Sequence, residues 1–447
     1  MARDKVVLAY SGGLDTSVAV KWINETYGLD VIAYTCDLGQ GQDIQAIREK
    51  ALRTGAVEAI AEDVRNLFVD YFAFPSLMAG AMYEGKYPLA TALGRPLIAQ
   101  LMVRVAKEHG AVAVAHGCTG KGNDQVRFDV TFQTLAPHLK IIAPVREWKW
   151  TRTQELQYAA DHGIEVEATK KSNFSTDQNL WGRSIEAGIL EDPWIEPPPE
   201  AFQWTVAPQE APDQPEEVEI EFDRGRPIAL NGVPRDGAEL IEELNKIAGK
   251  HGVGRVDHIE NRLVGIKSRE IYEAPAALVL HEAHREIEFL TLSKEALRFK
   301  THVSQQYSDL IYNGLWFSAL HQDLMAFTVS NQQYVSGVAR IKLYKGHAIS
   351  PAGRASTAST ATNSPPTKKA TSTTPPPRKA SSRSTASRKP PRPSTRCSKA
   401  PAAADAWNSR ASSRRTRRGE RQSNAIFAHT QSRAKHGHDH PRPRRSE

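Results

Sequence analysis

The apolar run Val6-Val7-Leu8-Ala9-Tyr10 stops at Ser11-Gly12-Gly13, and Val18, Val20, Trp22 and Ile23 then follow at helix-compatible spacing from Thr16 to Tyr27. A strand that empties into a glycine-rich turn and then a helix is a demanding pattern, and it recurs downstream. Leu29 to Cys36 reads as a second strand and Ile44 to Thr54 as a second helix. Arg95 to His109 reads as a third helix, Ala111 to Ala115 as the strand that it feeds, and Lys140 to Val145 as a further apolar run. Such alternation predicts an α/β fold, a Rossmann-like parallel sheet with helices on both faces. Ligands of these sheets lie beyond the carboxyl ends of the strands. The glycine-rich loops that follow strands are therefore the expected sites.

The remainder reads differently. Glu191 to Pro215, with Pro197-Pro198-Pro199, has the composition of a surface linker. A strand Val218 to Phe222, a helix Gly237 to Gly249, amphipathic helices at Leu278–Phe289 and Lys294–Phe317, and a strand Tyr334 to Leu343 predict an α+β region. The formal charge of +7 averages two unlike parts. Residues 350–447 hold 22 Lys and Arg against 4 Asp and Glu, a net of +18, while 1–349 carry a net of −11. Ser, Thr and Pro make up 40 of those last 98 residues, which contain no Val, Leu, Met or Tyr, so little apolar area is available to offset the entropy of ordering. The expected division is a nucleotide-binding domain over 1–165, an α+β domain over 166–349 and a disordered basic tail over 350–447.

No stretch approaches the roughly 18–20 apolar residues of a membrane span. The opening Met1-Ala2-Arg3-Asp4-Lys5 runs directly into a strand and leaves no room for a signal peptide. Cys36, Cys118 and Cys397 form no Cys-x-x-Cys pair, which offers neither a disulfide framework nor a zinc ribbon. A reduced, cytoplasmic protein is expected.

Two loops carry chemistry. In Ser11-Gly12-Gly13-Leu14-Asp15-Thr16-Ser17, paired glycines and a helix N-terminus suit close approach to a phosphate, with hydroxyls beside them. A tight turn with Asp15 or Thr16 merely capping the helix accounts for the same residues. The spacings G-x-x-x-x-G-K-[ST] and G-x-G-x-x-G are both absent, which disfavours γ-phosphate kinases and dinucleotide oxidoreductases. The second loop runs from His116 to Phe128, with Gly117, Gly120 and Gly122 in it. Asn123, Asp124 and Arg127 fall within about one helical turn. Their donors and acceptors suit an amino acid's ammonium and carboxylate. An exposed Asp–Arg pair on a glycine-rich turn fits them as well.

The run Ala9 to Ser17 resembles the pyrophosphate loop of N-type ATP pyrophosphatases. Taken with Lys86 to Ala92, His116 to Phe128, His251 to Arg262 and Ile266 to Pro275, residues 3–349 resemble the argininosuccinate synthase family, whose motifs occur here in order and spacing. The resemblance implies a carbon–nitrogen ligase of arginine biosynthesis that joins citrulline and aspartate through a citrullyl-adenylate, releasing AMP and pyrophosphate. It assigns ATP to Ala9, Tyr10, Ser11, Gly12, Gly13, Leu14, Asp15, Thr16, Ser17, Cys36 and Gly117. Citrulline falls to Tyr87, Asn123, Arg127, Ser175, Ser184, Glu260 and Tyr272, and aspartate to Thr119, Asn123 and Asp124. Taken singly, these residues also fit packing, capping or ion pairing: Ser175 and Ser184 as helix caps, Glu260 as an ion-pair partner, and Tyr87 and Tyr272 as packed rings.

ATP is a substrate of this chemistry, with Mg²⁺ held mainly by pyrophosphate oxygens and water rather than by a protein cage. No protein nucleophile is needed. Positioning, and stabilisation of charge on the transferring phosphoryl group, are expected to carry catalysis. The family is homotetrameric through a C-terminal helical arm, and the residues after Ile349 show no counterpart of it. Ala92 replaces a Ser common in relatives. A shifted reading frame or a genuine tail that contacts nucleic acid nonspecifically both account for the basic end. Rival readings are another pyrophosphate-loop enzyme, such as a tRNA thiolase, and a nonenzymatic nucleic-acid binder acting through the tail.

Overall fold

A computed structural model describes residues 3–165 and 174–356. The first stretch comprises β1 (Lys5–Ala9), α1 (Leu14–Tyr27), β2 (Asp30–Asp37), α2 (Ile44–Thr54), β3 (Glu58–Asp63), α3 (Arg65–Phe68), α4 (Phe74–Ala79), α5 (Ala90–His109), β4 (Ala113–Ala115), α6 (Asp124–Leu135), β5 (Lys140–Ile142), α7 (Pro144–Trp148) and α8 (Arg152–Asp161). Its five strands pair in the order β3-β2-β1-β4-β5, all parallel. Val6, Val7 and Leu8 of β1 are fully buried, as the continuous apolar run requires of a strand covered on both faces. One face packs Val18, Ile23 and Trp148 against Val6, Leu8 and Val31. The strand order turns back between β1 and β4, so the crevice at this switch point is flanked by the loops after those two strands.

The parallel sheet was legible, but α5 begins at Ala90 rather than Arg95 and holds Pro96 inside it. Proline suggests a helix start, yet Ala90 to Gly94 are buried and Tyr87 accepts the Thr91 N–H at 3.0 Å. The run after Ile142 turns into α7 instead of extending as strand.

The second stretch opens with a hairpin, β6 (Ser175–Asn179) and β7 (Gly182–Glu186). There follow β8 (Glu216–Asp223), β9 (Arg226–Leu230), β10 (Val233–Pro234), α9 (Gly237–Lys250), β11 (Arg255–Asn261), β12 (Lys267–Glu273), α10 (Pro275–Thr291), α11 (Lys294–Tyr312), α12 (Ala319–Gln332), β13 (Gly337–Tyr344) and β14 (His347–Ala355). Two antiparallel sheets result, β10-β9-β8-β13-β14 and β11-β12-β7-β6. Ser175 and Ser184 thus lie on paired strands and cap no helix. The Pro-rich segment is tied down rather than free: Glu273 accepts N–H bonds from Gln203, Trp204 and Thr205, each at 2.9 Å.

The tail was expected to begin at residue 350, whereas β14 continues the ladder through Ala355. Edge pairing uses main-chain groups, and an edge strand tolerates Pro351 and an exposed polar face. The rest of the basic tail, 357–447, lies outside the described residues, as does the expected domain boundary at 165/166. Among the described residues, no helix is long and apolar enough to cross a membrane.

Candidate active site

The turn after β1 has the shape that its glycines permit. Gly12 takes φ +76°, and Gly13 caps α1 with no side-chain hydrogen bond to the helix. The N-terminal amides of α1 therefore have no side-chain cap, which leaves the helix end suited to an anion. Neither Asp15 nor Thr16 caps the helix. Thr16 Oγ1 instead lies 3.2 Å from Ser11 Oγ, Tyr10 shares a 3.0 Å hydroxyl contact with Ser17, and Lys50 Nζ donates to Gly12 O at 2.7 Å. Arg152 reaches Asp15 at 3.0 Å and Glu155 at 3.7 Å. Burial, then the neighbouring Asp15 carboxylate, push Glu155 up to about 7. Cys36 lies buried near the carboxyl end of β2, its thiol pushed up to about 12 by burial and then by Glu62.

The loop after β4 meets this turn from across the switch point. A Cβ on Gly117 would stand 3.1 Å from Thr16 Cγ2. Beyond Gly117, the loop opens onto a cavity of about 250 Å³ whose lining includes Tyr87, Gly117, Thr119, Asn123, Asp124, Arg127, Ser184, Glu260 and Tyr272. The structure thus gathers the residues assigned to both amino acids on one wall system, apart from Ser175, which is exposed at the start of β6 and does not line the cavity.

Arg127 is buried and bonded to Asp124 at 2.8 Å, so the pair is no solvated surface bridge. Burial alone would raise Asp124, but Arg95 and Arg127 hold its carboxyl below the usual range. Arg95 also binds Asp177 of β6, tying α5 to the hairpin. Asn123 does not use its side chain as a helix cap: Oδ1 accepts Leu263 N–H at 3.0 Å and Nδ2 donates to Tyr312 OH at 2.8 Å. Tyr272 donates to Glu260 Oε2 at 2.5 Å and stacks on Tyr87, ring centroids 4.1 Å apart. Glu186, Arg262 and Glu270 complete one end, where Arg262 bridges both carboxylates.

Sequence reasoning missed Arg95, Asp177, Glu186, Arg262, Glu270 and Tyr312. Arg262 and Glu270 stood inside quoted motifs, but nothing in their spacing shows that they share a wall with Glu186.

A phosphate-type turn at the switch point of a five-stranded parallel sheet, opening toward a charged cavity, defines a nucleotide-binding enzyme of the HUP class. Residues 5–165 match the family model described as arginosuccinate synthase N-terminal HUP domain, and residues 174–369 match the arginosuccinate synthase C-terminal domain. The chain is 61% identical over 343 residues to an argininosuccinate synthase of Dehalococcoides mccartyi strain BAV1, covering 77% of this chain and 84% of the relative. It is 57% identical over 349 residues to that of Brevibacillus brevis, covering 78% and 83%, and 58% identical to that of Geobacillus sp. strain WCH70, covering 78% and 87%. The chain belongs to the argininosuccinate synthase family. Its function is the ATP-dependent joining of citrulline and aspartate to argininosuccinate, with release of AMP and pyrophosphate, and the thiolase and nucleic-acid readings are not favoured.

Proposed function

We propose that the two halves of this reaction are divided between the turn and the cavity. Ala9 through Ser17 hold ATP by its β- and γ-phosphates, with Cys36 at the nucleotide's edge and Gly117 beside it. Tyr87, Asn123, Arg127, Ser184, Glu260 and Tyr272, which line the cavity, receive citrulline together with Ser175 at the start of β6, the strand whose Asp177 is part of the same lining. Thr119, Asn123 and Asp124 receive aspartate. The observation that supports this most is the approach of Gly117 to Thr16, which sets the uncapped N-terminus of α1 against the mouth of the cavity.

The chemistry follows from the substrates. A ureido carbon is a poor electrophile, since both nitrogens donate into it and its oxygen leaves badly. Transfer of AMP to that oxygen, with pyrophosphate departing along the α1 amides, converts it into a good leaving group. The neutral α-amine of aspartate then attacks the carbon and AMP leaves. No protein nucleophile takes part, and catalysis rests on positioning and on the fixed dipoles at the turn. Among the described residues, no group of three His, Cys, Asp or Glu side chains gathers to hold a metal. Mg²⁺ brought with the nucleotide would be held mainly by phosphate oxygens and water, and would offset polyphosphate charge.

A cytoplasmic setting suits an enzyme of ATP and amino acids. The homotetramer of the family is our reading of the assembly by resemblance alone, and the helical arm that builds it in the family has no counterpart after Ile349.

Pyrophosphate release, assayed with ATP and with each amino acid omitted in turn, tests the reaction. Calorimetry tests the division of labour. Arg127→Ala should lose citrulline yet bind ATP normally, and Asp15→Ala should weaken ATP; equal loss of ATP affinity in both variants contradicts the assignment.

A further inference from the structure

Tyr312 stands behind the cavity at the point where its hydrogen bonds converge. It ends α11, and Gly314 (φ +73°) turns the chain so closely onto α6 that a Cβ there would lie 2.8 Å from Arg127 Cα. The Tyr312 carbonyl accepts Arg127 Nε–H at 3.0 Å, and its ring stacks on Tyr83 with centroids 3.6 Å apart. Its hydroxyl lies 2.5 Å from Glu260 Oε1 and 2.8 Å from Asn123 Nδ2.

The polarity of these bonds is determined. A phenol carries one proton. Burial, then the Glu260 carboxylate, raise the Tyr312 hydroxyl above its ordinary range, so it keeps that proton. The proton goes to the carboxylate oxygen, and only lone pairs remain for Asn123. That contact therefore requires the amide's NH₂ and not its carbonyl. At the other end of the same amide, Asn123 Oδ1 accepts the Leu263 N–H. Two independent partners thus demand one amide orientation, which leaves Asn123 one N–H and one lone pair to offer a ligand. Glu260 is pinned likewise, with Tyr312 on one oxygen and Tyr272 on the other.

We propose that Tyr312 is a positioning residue of the ligation, its hydroxyl orienting the Asn123 amide and fixing the Glu260 carboxylate so that both face citrulline in one arrangement. This rests on the reading that the cavity takes citrulline.

Tyr312→Phe keeps the ring stack and the main-chain carbonyl and removes only the hydroxyl. Steady-state kinetics should show KM for citrulline raised about tenfold or more, as befits loss of a charge-assisted bond. KM for aspartate should rise as well, through Asn123, while KM for ATP stays within about twofold. A lower Tm and kcat with both amino-acid KM values unchanged would mean a purely structural role and would overturn the proposal. Tyr83→Phe is the control: its hydroxyl donates to Asn261 O and touches neither Asn123 nor Glu260. Amino-acid KM values unchanged there support the proposal; a rise equal to that of Tyr312→Phe would show that losing a hydroxyl with no bond to Asn123 or Glu260 has the same effect, and would overturn it. Glu260→Gln separates the layers. If it leaves citrulline KM unchanged, the cavity assignment falls and Tyr312's role falls with it. If it raises that KM while Tyr312→Phe does not, only the Tyr312 proposal fails.

Discussion

Gly117 faces Thr16 so closely that a Cβ on the glycine would lie 3.1 Å from the threonine methyl. The two loops of the switch point touch here, one belonging to the turn after β1 and the other to the cavity. Gly117 needs no left-handed backbone, so an added methyl acts through contact rather than strain. Gly117→Ala should push Thr16 by a few tenths of an ångström and weaken ATP about three- to tenfold, because phosphate contacts tolerate little displacement. Citrulline affinity and Tm should stay near wild type. Calorimetry with a nonhydrolysable ATP analogue reads the change, and unaltered affinity would show that this contact does not shape the nucleotide site.

The first half of the fold was written in local pattern. A buried parallel strand is a continuous apolar run, and Val6 to Tyr10 announces itself before any tertiary contact is known. Asp124 and Arg127 were equally legible, since three residues on a helix bring side chains together, and they bond at 2.8 Å. The β6–β7 hairpin was not legible, because Ser175 to Asn179 is polar throughout and shows no alternation. It is held instead by Asn179 donating to Ala90 O and Trp181 Nε1 donating to Pro88 O, both from the other half of the chain. Tyr312 was hidden for the same reason. It meets Asn123 across 189 positions of sequence, a distance over which spacing says nothing.

Gly314→Ala should damage both stability and citrulline handling. The residue combines φ +73° with a Cβ position 2.8 Å from the Arg127 backbone, so the α11 turn or the start of α6 must move. A cost of about 1–3 kcal/mol is expected from strain and overpacking together. Urea denaturation should show a lower midpoint, and KM for citrulline should rise while ATP binding holds. A variant of wild-type stability would mean that the turn adapts without cost.

Glu273 anchors the segment between the two antiparallel sheets. Fully buried, it accepts from Arg183 Nη1 at 2.8 Å, from Thr205 Oγ1 at 2.8 Å and from three main-chain N–H groups. Glu273→Ala strands a buried guanidinium and leaves those amides unsatisfied, which should cost about 3–5 kcal/mol. Limited proteolysis should then cut first between residues 199 and 205. Retention of wild-type Tm would refute the anchor.

Glu270 should give the protein a pH-dependent liability. Its carboxyl is pushed up to about 8, first by burial and then by the Glu186 charge, with Arg262 acting in the opposite direction. The unfolded value is near 4.5, so between about pH 4.5 and 8 the folded state binds more protons at this site than the unfolded chain. Stability from this group is therefore present below that window and is lost as pH rises through it. Glu270→Gln removes the titration while keeping an oxygen for Arg262 and Ser268, which both contact the native side chain. Relative to Glu270→Gln, the wild-type Tm should fall steadily from pH 5 to pH 8. Parallel melting curves for the two proteins across that range would show that Glu270 is ionised throughout, held so by Arg262.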